Sequence, residues 1–304
     1  MARAVASVQT DRAGDRRLTH PRATWAAVAG AAIVLSGTGF AYSQLPSWAA
    51  DALLHPPRRP VDRRVGDQFE EVDLAGAGVR LSGWRARATG ARRGALVCLH
   101  GIGDNRMSAA GIAARFTRRG LDVIAYDSRA QGESGGDACT YGYYEKQDLR
   151  RVLGTIDPGP IIVMGSSLGA AVALQAAADD TRISALVVAE IFADLRTVAR
   201  ERAPFFLTGG AIRQAFLLAE QRGAFQVDAV SPVRAAAHVA IPVLVIHGAA
   251  DHETPPDHSQ RVFDALRGPK RFILVPGAGH NQSLGGPIWH DVEEWVDRWL
   301  APAR

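Results

Sequence analysis

With 304 residues, 47% of them hydrophobic and 22% charged, the chain is long enough for one large α/β domain plus an extension. Its net charge of +4 is confined to one end: residues 1–64 carry nine Arg, no Lys, four Asp and no Glu, so that segment is +5 and the remainder −1. That distribution excludes a nucleic-acid-binding body, which needs its basic patch on the folded part. Two cysteines, Cys98 in an apolar run and Cys139 in a loop, are too few for a disulfide framework, and no CxxC or Cys/His cluster points to zinc.

In chain order, residues 1–22 form a polar, arginine-rich tail expected to be disordered. Residues 23–43 are an uncharged run of 21 residues with Trp25 near one end and Tyr42 at the other, the length and belt pattern of a transmembrane helix. An uncleaved anchor, a cleaved signal segment using Gly39 and Ala41 as small residues before the cut, and a soluble helix compete for it. Five Arg precede the run and four follow it, a slight bias toward a single-pass protein with its main domain extracytoplasmic. Residues 44–65 read as a linker: Pro46 to His55 as a short amphipathic helix on the membrane surface, ended by Pro56, Pro57 and Pro60.

From residue 66 to 304 the pattern is that of a catalytic domain. Phe69–Leu74 and Val79–Trp84 alternate polar and apolar residues around Gly76-Ala-Gly78, a hairpin. Six short apolar runs follow, at 95–99, 121–126, 161–164, 185–189, 243–246 and 272–275, mostly separated by helix-like stretches. With the hairpin they imply a mostly parallel eight-stranded sheet covered by helices on both faces. Met107–Arg118 is a helix stopped by Gly120, and Trp289, Val292, Trp295, Val296 and Trp299 line one stripe of the last helix. The interval of about 193–228 breaks the rhythm with Phe205, Phe206, Leu207, Phe216, Leu217 and Leu218. It reads either as helices packed on the core or as a small helical lid offering an apolar wall to an acyl chain.

The chemistry centres on Ile161-Ile-Val-Met-Gly-Ser-Ser-Leu-Gly-Ala170, a buried strand, a G-x-S-x-G turn and a helix. That context makes a nucleophile elbow with Ser167 at its apex, the flanking glycines being required by the tight turn. A serine needs a base, and the base an orienting acid. Val243–Asp251 is a strand and loop delivering Asp251, and Arg271–His280 is a strand and loop delivering His280. Each falls just past the C-terminal end of a strand, where parallel sheets place their sites. Glu190 and Asp194 are rival orienters. The oxyanion hole is expected from the N–H groups of Leu168 and Ile102. His100, Asp127 and Arg129 suit loop shaping and bracing better than catalysis.

The motifs LHGIGDNR (99–106), YDSRAQGESGG (126–136), GSSLG (165–169), SPVRAAAHVAIPVLVIHGAADHETPP (231–256) and GAGHNQS (277–283) together resemble the α/β-hydrolase fold superfamily from about Phe69 to Ala301. The nearest likeness is to serine hydrolases of the Bem46-like, prolyl-oligopeptidase-like and serine-aminopeptidase-like kind. The resemblance implies Ser167, Asp251 and His280 as the triad and no cofactor or metal. It implies hydrolysis of esters, thioesters, lipids or peptides, and several such proteins carry an N-terminal membrane segment. Ala130 stands where that family usually has glycine. The expectation is a membrane-anchored hydrolase acting on a small-molecule ester or lipid-like substrate, with a peptidase, a thioesterase or a non-catalytic membrane-tethered binding module as alternatives.

Overall fold

The computed structural model describes residues 40–62 and 69–300. Contacts divide the chain into a short unit ending at Leu45 and a main unit from Pro46 onward. Of the apolar run 23–43 only the last four residues are described, and they are helical. Among the described residues no helix is long and apolar enough to cross a membrane. The tail 1–22 lies outside the described residues.

The main unit is built on one eight-stranded sheet: β1 (Glu70–Ala75), β2 (Arg80–Ala86), β3 (Gly94–Leu99), β4 (Leu121–Tyr126), β5 (Ile161–Ser166), β6 (Ile183–Ala189), β7 (Val243–Gly248) and β8 (Lys270–Val275). The spatial order is β1-β2-β4-β3-β5-β6-β7-β8. The β1–β2 and β2–β4 pairs are antiparallel, and every later pair is parallel. β3 through β7 are almost wholly buried, which is why they read as unbroken apolar runs and not as alternating ones.

Side chains of successive residues still go to opposite faces. Ala95, Val97, Leu99, Ile161 and Val163 join one core cluster, under α3 (Glu145–Leu153), α4 (Leu168–Ala177), α7 (Pro232–Ala236) and α8 (Pro256–Ala265). Leu96, Cys98, Ile162 and Met164 join the other, under α2 (Ala110–Phe116) and α9 (Ile288–Leu300). The expected stripe of α9 supplies that second cluster, with Val292, Trp295 and Val296 buried and Trp289 and Trp299 at its margin. Gly120 ends the α2 region in the left-handed conformation at φ 82°. Cys139 is in a loop as expected but fully buried, and Cys98 has its thiol pushed up to about 12 by burial alone.

The interval 193–228 folds as α5 (Leu195–Glu201) and α6 (Gly209–Gly223). Its apolar residues gather in one core cluster with Ala171 of α4: Phe192, Leu195, Val198, Phe216 and Phe225 are buried together. Residues 46–54, inside the stretch expected to be a linker, are helical (here α1) and bury Ala50 and Leu54 in that cluster. The apolar face of the helix expected from Pro46 to His55 is therefore covered by protein and not left for a membrane surface; Trp48 on its outer side is exposed. Phe205, Phe206 and Leu217 are exposed as well, so they build no enclosed wall.

Asp122 near the start of β4 braces the sheet end, accepting from the Ala88 N–H and the Arg92 Nε–H, each at 2.9 Å. Burial works to raise its carboxyl, but the Ala88 N–H and the Arg92 and Arg87 guanidiniums outweigh burial and hold it below the ordinary carboxylate value. A carboxyl depressed in the folded state binds its proton more readily when unfolded. Its stabilisation is thus complete above the ordinary value of about 3.9 and is lost as pH falls below it. Asp122→Asn should lower the urea midpoint at pH 7 and reduce its fall between about pH 5 and 3; an equally steep fall in the variant would contradict this account.

Candidate active site

The elbow follows from a close approach of β5, α4 and β3. A Cβ placed on Gly165 would lie 2.4 Å from the Gly169 carbonyl, and one on Gly169 would lie 2.3 Å from the Leu99 carbonyl oxygen. Only glycine fits either position, because the obstructing atoms are backbone. Between them Ser167 adopts φ 51°, ψ −110°, a strained conformation for a residue with a side chain. It is held there by its N–H, which donates to the Ala189 carbonyl of β6 at 2.8 Å. Ser167 becomes the N-cap of α4 without spending its hydroxyl on the helix, since no side-chain capping bond forms.

That hydroxyl is instead directed at His280. Ser167 Oγ–H donates to His280 Nε2 at 3.1 Å, and His280 Nδ1–H donates to Asp251 Oδ2 at 2.7 Å. The second bond places the ring proton on Nδ1 and leaves Nε2 an acceptor. Asp251 Oδ1 accepts from the N–H groups of Glu253 and Thr254, both at 2.9 Å. Burial pushes the Asp251 carboxyl up, but the Thr254 N–H, His280 and the Glu253 N–H together bring it below the ordinary value, so it is ionised at neutral pH. The three residues proposed from sequence are therefore brought together in one hydrogen-bonded chain.

Leu168 and Ile102 both lie near Ser167. Leu168 opens α4, and the Gly101 backbone beside Ile102 runs against Ser167, whose Cβ lies 3.6 Å from a Cβ built on that glycine. Neither the Leu168 nor the Ile102 N–H donates to a backbone carbonyl among the loop and turn bonds of the described residues. A cavity of about 680 Å³ opens on the Ile102 side of the elbow, lined by Gly101, Ile102, Ser166, Glu190, Asn281 and Trp289 and not by Ser167, Leu168 or His280. Its volume suits a small molecule. Among the described residues no group of three or more His, Cys, Asp or Glu side chains is arranged to hold a metal ion.

The profile of the "Alpha/beta hydrolase family" matches residues 96–298, which contain every group just described. The chain belongs to the α/β hydrolase family. Among relatives, protein YqkD of Bacillus subtilis (strain 168) is 30% identical over 198 residues, 62% of this chain and 65% of that protein, so the chain spans just under two thirds of its length. The esterase Pf2001 of Pyrococcus furiosus superposes with a TM-score of 0.65 at 22% identity, covering 81% of this chain and all of the esterase. The acylaminoacyl peptidase of Pyrococcus horikoshii superposes with a TM-score of 0.59 at 15% identity over 78% of this chain and 43% of the peptidase. At these identities the two structures establish the fold. The protein is an enzyme of hydrolase type.

Within this hydrolase fold the rival orienters have other work. Glu190, at φ 48° just after β6, accepts from Ser166 Oγ–H at 2.9 Å and from the Ser283 N–H at 3.1 Å. It ties the elbow to the loop carrying His280 and makes no bond to the imidazole. Asp194 caps α5 through the Thr197 N–H and pairs with Arg261. His100 is buried, donating from Nδ1 to the Gly101 carbonyl and accepting at Nε2 from the Ser128 N–H. Desolvation lowers its pKa against the pull of the Gly101 carbonyl, Asp127 and Asp104, which suits a neutral loop brace. Asp127 pairs with Arg106, and Arg129 with both oxygens of Asp148 at 2.7 Å. Each braces neighbouring loops, but not by pairing with the other. Ala130, the departure from the family's glycine, sits at φ 59°, the left-handed region in which glycine is the ordinary occupant.

Two contributors escaped sequence reasoning. His247, fully buried at the end of β7, donates from Nε2 to the Thr254 carbonyl at 2.8 Å and lies 3.2 Å from Asp251 Oδ2; its Nδ1 accepts from Ser259 Oγ–H at 2.6 Å. It fixes the loop that presents the acid. Its position four residues before Asp251 was the available signal. Arg202, the C-cap of α5, reaches the same loop from the 193–228 insertion, and nothing in the linear pattern marks it.

Gly169→Ala should destabilise the fold at or beyond the top of the usual overpacking range of about 1–3 kcal/mol, since the Leu99 backbone cannot give way. Urea unfolding of the variant checks this; a loss under about 1 kcal/mol would show that β3 and α4 are freer to separate than the packing implies.

Proposed function

We propose that the protein is a serine hydrolase that cleaves carboxylic esters, small-acyl or lipid-like, through an acyl-enzyme intermediate. The observation that carries this reading is the unbroken chain from Ser167 Oγ to His280 Nε2 at 3.1 Å and from His280 Nδ1 to Asp251 Oδ2 at 2.7 Å. In it Ser167 Oγ attacks the ester carbonyl carbon while His280 Nε2 takes the hydroxyl proton. The oxygen that turns anionic is met by the N–H group of Ile102 after β3 and by that of Leu168 at the N-terminus of α4, where the helix dipole favours negative charge. The C–O bond to the leaving group breaks as His280 returns the proton to it. Water, deprotonated by His280, then releases the acid and restores Ser167. Asp251 remains ionised throughout and stabilises the imidazolium of each half-reaction.

Several features support a small substrate. The cavity of about 680 Å³ reaches Ile102 and Ser166 and lies next to the triad, without Ser167 or His280 in its wall, which gives room there for one arm of a small substrate. The fold likeness to an esterase favours esters, and the likeness to an acylaminoacyl peptidase keeps a peptidase as the second reading. A thioesterase would use the same groups; a non-catalytic, membrane-tethered binding module would have no use for the chain of bonds. The motifs favour the Bem46-like and serine-aminopeptidase-like branch. The uncharged run 23–43 supports a single-pass anchor with the catalytic domain extracytoplasmic, and the exposed Trp48, Phe205 and Phe206 suit work beside a lipid surface.

p-Nitrophenyl esters of two to sixteen carbons, set beside an aminoacyl p-nitroanilide, test the assignment. Ester turnover should fall at least about 10³-fold in Ser167→Ala and about 10³- to 10⁴-fold in Asp251→Asn, which misplaces the imidazole proton. Turnover of the anilide alone would move the protein to the peptidases. Folded protein that hydrolyses none of them and is not labelled by a fluorophosphonate would favour the binding module.

A further inference from the structure

Arg202 is held rigidly beside the reacting groups. Its Nε–H donates to the Glu253 carbonyl at 2.9 Å, and its Nη2–H donates to Thr254 Oγ1 at 2.5 Å. The same Nη2 lies 3.5 Å from His280 Nε2. The neighbouring residue is pinned too: His258 Nε2–H donates to Glu201 at 2.7 Å, while His258 Nδ1 accepts from the Ala193 N–H. The end of α5 is thus tied to the loop after β7 through Arg202 and to α8 through Glu201, and the guanidinium has little freedom left to lose when a ligand binds.

Its partners are neutral. Most arginines that brace this fold do so against carboxylates, as Arg106, Arg129 and Arg182 do. Arg202 makes no ion pair among the described residues, although Glu253 supplies a carbonyl to it, and its Nη1 hydrogens have no partner there. A full positive charge therefore remains, in an exposed position, 3.5 Å from the nitrogen that protonates the leaving group.

Resting on the esterase reading above, we propose that Arg202 is a specificity-determining residue that binds a carboxylate on the leaving-group side of the substrate. The class is esters of short hydroxy acids, whose carboxylate stands one or two bonds beyond the alcohol carbon. The reason is positional. The leaving oxygen must approach His280 Nε2 within about 3 Å to receive its proton, and Arg202 Nη2 is 3.5 Å from that nitrogen. A carboxylate on the alcohol portion then falls within reach of the unpartnered Nη1–H and of the Nη2–H that faces His280 Nε2 in the resting site, an edge on which guanidinium and carboxylate pair through two parallel hydrogen bonds. A neutral alcohol gains nothing there.

Two readouts separate this inference from the esterase reading. The first is binding without turnover: calorimetric titration of the full chain with malonate and with malonamide. Malonate should bind about tenfold or more tightly, an advantage that weakens at 0.5 M NaCl. It should vanish in Arg202→Gln and survive in part in Arg202→Lys, which keeps the charge and loses the fork. The second is hydrolysis: the ratio of kcat/KM for the acetyl ester of glycolic acid to that of glycolamide should exceed about ten and fall toward one in Arg202→Gln. A variant that merely disturbs the loop would slow both esters and leave the ratio alone. Equal binding of malonate and malonamide by the wild-type protein overturns the inference, as does a preference that persists in Arg202→Gln. If malonate is preferred and Arg202→Gln abolishes the preference while no ester is hydrolysed, the anion site stands and the esterase reading falls.

Discussion

The site depends on a steric constraint: α4 begins so close to β3 that only glycine fits at residue 169. The contact of Gly169 with the Leu99 carbonyl pulls the helix onto the sheet, and Gly165 lets β5 turn into it without a gap. Ser167 is then forced to positive φ, and its hydroxyl stands free of the helix it caps. The strain at one residue is held by the sheet on either side, through the Ser167 N–H on Ala189 and the apolar packing of β3, β5 and β6. Local strain of this kind persists only where the surroundings over-determine it.

Everything else in the site is brought to that hydroxyl by loops at the C-terminal ends of parallel strands. β7 delivers Asp251 and β8 delivers His280, and their parallel pairing puts the two loops side by side. Both loops are then tied down. The acid loop is fixed from within by His247 and by the Glu253 and Thr254 N–H groups, and from the insertion by Arg202. The histidine loop is fixed by Glu190, through Ser283, to the elbow itself. A hydrogen-bonded relay needs its members within a few tenths of an ångström, and these neutral and charged braces supply that from outside the chain of proton transfer.

The insertion between β6 and β7 packs around a core cluster that it shares with α1 and with Ala171 of α4. Its aromatics Phe216 and Phe225 fill its interior with help from Ala50 and Leu54 of α1, while Phe205 and Phe206 face outward. Its contact with the chemistry is polar, made by Arg202 at the end of α5, and the chemistry is thereby flanked by a cation and not by an apolar wall.

The amino-acid sequence by itself determined the sheet, because buried parallel strands are continuous apolar runs, and it determined the elbow, because two glycines around a serine between strand and helix answer to a local steric rule. It also determined the candidate positions Asp251 and His280, since a parallel sheet places loop residues after each strand at one edge. The tertiary structure decided which acid faces the imidazole. Glu190, Asp194 and Asp251 all follow strands and look alike in the chain, and only the register of β7 and β8 turns Asp251 toward His280. It alone decided that the helix after Pro46 covers the insertion, that His247 steadies the acid loop, and that Arg202 reaches the reaction centre from 78 positions away in the chain. Such long-range contacts arise from packing geometry, and no periodicity or spacing within a segment carries them.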